Sequence, residues 1–103
     1  MSVVELGNKA EFDEKCKSGK IVIDFYATWW PACKPAGKEF EAFAAANADV
    51  SCFQVDCDKC KDDCPGVDKV KYLPTFIVFK DGKQLGDVVE GFIEDSIKEQ
   101  LAK

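Results

Sequence analysis

Histidine is absent from the 103-residue chain, which removes Ser-His and Cys-His nucleophilic pairs and any imidazole-held metal from the chemistry open to it. Long apolar runs are absent as well. The longest, Ala42 to Ala46, has five residues, against the roughly 20 that a membrane-spanning helix needs. The opening Met1-Ser2-Val3-Val4-Glu5 has neither a basic nor an apolar leader region, so a cytoplasmic protein without a membrane anchor is expected. Basic charge is in deficit, 14 residues against 19 acidic ones for a net charge of −5. That balance argues against nucleic-acid or anionic-membrane partners and reads as a solubility feature. The rest, 47% hydrophobic, 32% charged and 12% aromatic, describes one folded domain over residues 1–103 with no room for a second core.

Cysteine, by contrast, is plentiful: Cys16, Cys33, Cys52, Cys57, Cys60 and Cys64. A secreted miniprotein would spend these on disulfides, but with no signal peptide most are expected to be thiols, which brings redox or metal chemistry forward. Cys57-Asp58-Lys59-Cys60, with Cys64 beyond it, is a C-x-x-C run among Asp56, Asp58, Asp62 and Asp63. Negative neighbours raise thiol pKa values, so this trio should be weakly nucleophilic, although slow oxidation to a regulatory disulfide stays open. The spacing also suits zinc, but no second ligand pair follows it. Neither a metal nor a cofactor is therefore expected. The bland alternative has these cysteines filling core or resting reduced at the surface.

Val3 to Leu6 reads as a short strand, and Asn8 with Glu11 forms a capping box for a helix carrying Phe12 and Cys16 on one face. Ile21 to Tyr26 is an apolar, β-branched run of a central strand, broken only by Asp24. Cys33, Ala36, Phe40, Phe43 and Ala44 recur at helical spacing, so a helix runs to about Asn47. Val50 to Val55 is a third strand, and Asp56 to Lys69 a short helix and loop broken at Pro65-Gly66. Thr75 to Phe79 and Lys83 to Val89 flank Asp81-Gly82, a strong hairpin signal, and Ile93, Ile97 and Leu101 stripe a last helix. Parallel crossovers followed by a hairpin require an α/β fold: a central mixed sheet of about five strands flanked by four helices.

At Phe25-Tyr26-Ala27-Thr28-Trp29 the chain resembles the thioredoxin family, and the resemblance runs from end to end. Asp24, Lys34, Leu73-Pro74-Thr75, Asp81-Gly82 and Gly91 stand at the family's spacings. The family's Trp-Cys-Gly-Pro-Cys loop is here Trp29-Trp30-Pro31-Ala32-Cys33. Trp30 thus takes the position of the attacking cysteine, and Cys33 matches the inner, resolving thiol. The resemblance implies a thioredoxin fold and thiol–disulfide exchange, with Asp24 as proton acceptor for Cys33. It further implies protein disulfide or thiol substrates, a thioredoxin reductase as electron source, and a monomer.

A substrate segment would lie along Trp29, Pro31, Ala32, Leu73, Pro74 and Gly91, paired with the residue before a cis proline. Two further departures stand out: Gln54 replaces the family's lysine facing the buried acid, and Pro35 lies in the first helical turn, where a missing N–H costs little, and not near Lys38. With one sulfur missing, three readings follow. Exchange persists only as a monothiol activity of Cys33; or the groove binds peptides without reducing them; or Cys57, Cys60 and Cys64 act as a redox sensor.

Overall fold

The computed structural model describes residues 2–60 and 64–103. Asp62 and Asp63, counted above among the acidic neighbours of the cysteine trio, lie outside the described residues, as does Met1. The elements run β1 (Val3–Glu5), α1 (Lys9–Lys15), β2 (Lys20–Tyr26), α2 (Cys33–Ala46), β3 (Ser51–Asp56), α3 (Cys57–Cys60), a 3-10 turn (Val67–Lys69), β4 (Thr75–Lys80), β5 (Lys83–Gln84), β6 (Val89–Glu90) and α4 (Glu94–Leu101).

β2 lies at the centre, parallel to β3 on one side and antiparallel to β4 on the other, and β1 joins β3 in parallel. Ile21, Val22, Ile23 and Phe25 are fully buried, as a strand covered on both faces requires. One face packs Val22, Cys52, Phe76 and Val78 against Phe40, Phe43 and Ile97 of the helices. The other packs Ile21, Ile23, Phe25 and Val55 with Phe12 of α1 and with Cys60 and Cys64.

Turn and cap chemistry is realised where expected. The Asn8 side chain accepts from the Glu11 N–H at 2.9 Å, which satisfies a donor that the first turn of α1 leaves open, while the Glu11 carboxylate reaches one residue past the cap and accepts from the Gly7 N–H at 2.8 Å. Asp81 and Gly82 have φ of 52° and 83°, the two left-handed residues that a tight hairpin between β4 and β5 demands.

One expectation needs correction. The strand anticipated over Lys83 to Val89 is two short strands, β5 and β6, both paired with β4, so the sheet has six strands. Between them the Gln84 side chain bonds the Gly86 carbonyl at 2.6 Å, and Gln100 of α4 reaches the Asp87 carbonyl at 2.8 Å. Leu85 still gives its N–H to the Val78 carbonyl at 2.8 Å; beyond it the Gly86 and Asp87 carbonyls accept from side chains. Among the described residues, no helix is long and apolar enough to cross a membrane.

Candidate functional site at the carboxyl ends of the central strands

β2 and β3 end in register, Tyr26 opposite Asp56. Beyond β2 the loop folds back on itself: the Trp30 N–H donates to the Ala27 carbonyl at 3.2 Å and the Cys33 N–H to the Trp30 carbonyl at 3.1 Å. The second bond sets Cys33 as the first residue of α2, buried beneath the loop, with Pro35 inside the first turn. Trp29 and Trp30 stand outside, 62% and 38% exposed, with their rings edge to face at 5.4 Å. The Trp29 indole N–H donates to the Asp58 carboxylate and pins the loop to α3.

Behind the loop, Asp24, Cys33, Lys34 and Gln54 line a cavity of about 250 Å³. Asp24 is buried, and among the described residues its Oδ1 has no hydrogen-bond partner. Burial, with the Glu5 charge second, raises its pKa to about 7. Gln54 sits directly opposite Asp24 in the ladder but gives its amide N–H to Glu5 at 2.7 Å, and Glu5 also accepts the Tyr26 hydroxyl at 2.9 Å. Burial raises the Cys33 thiol above its usual pKa; a hydrogen bond with the Ala27 backbone acts the other way, and the Asp24 charge adds to the rise.

Beside the loop an apolar groove of about 490 Å³ is lined by Trp29, Trp30, Cys57, Val70, Tyr72 and Leu73. The Leu73–Pro74 peptide bond is cis, Pro74 is buried, and its carbonyl accepts the Gly91 N–H at 2.8 Å. Pro31 and Ala32 are exposed on the loop itself. Residues matched from distant parts of the chain are therefore brought together at one end of the sheet. The cysteine trio is divided: Cys57 opens on the groove, whereas Cys60 is buried and donates to the Leu6 and Gly7 carbonyls at 3.5 and 3.1 Å. Cys64 is buried in the same core as Cys60.

Three participants were missed from the sequence. Glu5 emerges only when β1 is laid on β3, and Asp58 only when the loop is laid on α3. Tyr72, by contrast, adjoins Leu73-Pro74 and was findable from that position.

The thioredoxin family model matches residues 3–103. The chain is 34% identical to the thioredoxin of Geodia cydonium over 101 residues, covering 95% of this chain and 94% of the relative. Thioredoxin-2 of Saccharomyces cerevisiae is 33% identical over 102 residues, with 97% and 96% covered. Among solved structures, the oxidised form of mitochondrial thioredoxin 3 from the same yeast superposes with a TM-score of 0.83 at 31% identity, covering 98% of this chain and 94% of that one. The Fasciola hepatica thioredoxin gives 0.80 at 28% identity, with 96% of each chain covered.

Proposed function

Because the chain belongs to the thioredoxin family, whose chemistry is thiol–disulfide exchange, we propose that it carries out this exchange in a monothiol form centred on Cys33. The observation that carries this reading is that Cys33 shares one cavity with a buried Asp24 carboxylate oxygen that has no hydrogen-bond partner among the described residues.

Asp24 takes the thiol proton through that cavity, and its pKa of about 7 lets it both accept and return the proton near neutral pH. The Cys33 thiolate then attacks a substrate disulfide, forming a mixed disulfide and expelling one substrate thiolate. Trp30 supplies no second sulfur, so release of the product requires another thiol, with electrons drawn ultimately from a reductase. The substrate strand lies in the apolar groove against Trp29 and Leu73, paired with the backbone that precedes Pro74, with Gly91 at the rim. Glutathione-rich cytosol suits such a protein, acting as a monomer.

Insulin reduction with dithiothreitol tests the reading. Slow turnover is expected, abolished in Cys33→Ser; full activity in that variant would refute it. Trp30→Cys should raise the rate at least about tenfold, because it restores a second thiol at C-x-x-C spacing that can attack the substrate and leave Cys33 to resolve the mixed disulfide within the loop. No gain would mean that the loop has diverged beyond one residue and that the groove serves binding alone.

A further inference from the structure

Release from Cys33 is the step the monothiol reading leaves to an outside thiol, and the fold holds a candidate within the site. Cys57 is the first residue past β3, one position beyond the Tyr26–Asp56 pair that closes the β2–β3 ladder. Parallel neighbours are about 4.8 Å apart, and the two hydrogen bonds from Ala27 to Cys33 fold the loop back over that end of the sheet. Trp30, whose carbonyl holds the Cys33 N–H, shares the wall of the groove with Cys57. Trp29 is fastened to Asp58, the next residue along. The Cys33 thiol hydrogen-bonds the Ala27 backbone, and Ala27 and Cys57 are the residues that follow the Tyr26–Asp56 pair, so both thiols sit at the same end of the β2–β3 ladder.

We propose that Cys57 is the resolving thiol of this site: it attacks the mixed disulfide on Cys33 and forms a Cys33–Cys57 disulfide. The step rests on the Cys33 exchange argued above. With glutathione disulfide as oxidant, the first transfer gives Cys33–S–S–glutathione and one glutathione. In the second the Cys57 sulfur bonds to the Cys33 sulfur, the bond to glutathione breaks, and the Cys57 proton leaves with the second glutathione. Two protein thiols are oxidised and one glutathione disulfide is reduced to two thiols.

The electrostatics agree with proximity and set the rate. Burial, then the charges of Asp56, Asp58, Asp24 and Cys33, push the Cys57 thiol up to about 12. Little thiolate exists at neutral pH, so the intramolecular step is slow there and relies on a high effective concentration. It should quicken about tenfold per pH unit between pH 7 and 9, as the thiolate fraction does.

The test is oxidation of the full chain by glutathione disulfide, quenched with acid and followed by intact mass and non-reducing peptide mapping. Expected for the unmodified sequence are a transient glutathione adduct on Cys33, then a Cys33–Cys57 disulfide. In Cys57→Ser, and in Cys57→Ala as a check on folding, the Cys33 adduct should accumulate and persist, while Cys60→Ser should behave like the parent. A Cys33 adduct that persists equally with and without Cys57 would overturn the proposal and leave the monothiol reading standing, and so would a mapped Cys57–Cys60 bond. Absence of any adduct on Cys33, in every variant, would overturn both.

Discussion

Asp24, Gln54 and Glu5 form one row across β2, β3 and β1, each in register with the next. Gln54 stands between two carboxylates and serves the outer one, because Glu5 binds its amide and the Tyr26 hydroxyl together. Asp24 is left desolvated, with Glu5's negative charge nearby. Both causes favour the protonated form. Glu5→Gln removes the charge and weakens the hold on Gln54, so the Asp24 pKa should fall below about 7. A carboxyl-carbon NMR titration reads it directly, and an unchanged or higher value would rule out Glu5 as a tuning residue. Asp24 itself was legible, being the one charge in an apolar strand. Glu5 was not, because no local pattern announces that β1 will join β3 in the register that sets Glu5 beside Gln54.

At the scale of elements, the groove owes its far wall to the segment between α3 and β4, and Gly66 seats that segment on the sheet. Its φ is 99°, and a Cβ there would lie 3.1 Å from both Ile77 Cδ1 and Phe25 Cζ. Both contacts belong to fully buried side chains, which have little freedom to yield. Gly66→Ala should therefore cost about 2 kcal/mol, combining left-handed strain with overpacking. Urea denaturation checks this; a loss under about 0.5 kcal/mol would show that the segment relaxes. The sequence marked Pro65-Gly66 as a break but carried no sign of the rings beneath it. Asp81-Gly82 was fully legible, since hairpin turn chemistry is local. The strand that follows was misread as continuous because the carbonyls between β5 and β6 accept from side chains, one of them Gln100 on the distant α4.

For the molecule as a whole, the pH dependence of stability should follow Asp24 more than the surface. The salt bridges among the described residues, Lys9–Asp13, Lys15–Glu11 and Lys98–Glu94, are exposed neighbours one helical turn apart and contribute little. Asp24 differs: its folded pKa is about 7, against roughly 3.9 in an unfolded chain. Between those values the folded state holds the proton more tightly, so stability is fullest below about pH 4 and declines as pH rises through 7. The span corresponds to at most about 4 kcal/mol. Asp24→Asn has no such titration. At pH 8 it should be more stable than the parent by on the order of 3 kcal/mol, and at pH 4 the two should agree within about 1 kcal/mol. Urea midpoints at the two pH values decide it, and parallel pH curves for parent and variant would show that Asp24 titrates alike in both states. The same variant should slow exchange at Cys33, since the proton acceptor is gone. A gain in stability coupled to a loss in rate is what a carboxylate kept for chemistry predicts, whereas one kept for packing would lose stability and leave the rate unchanged.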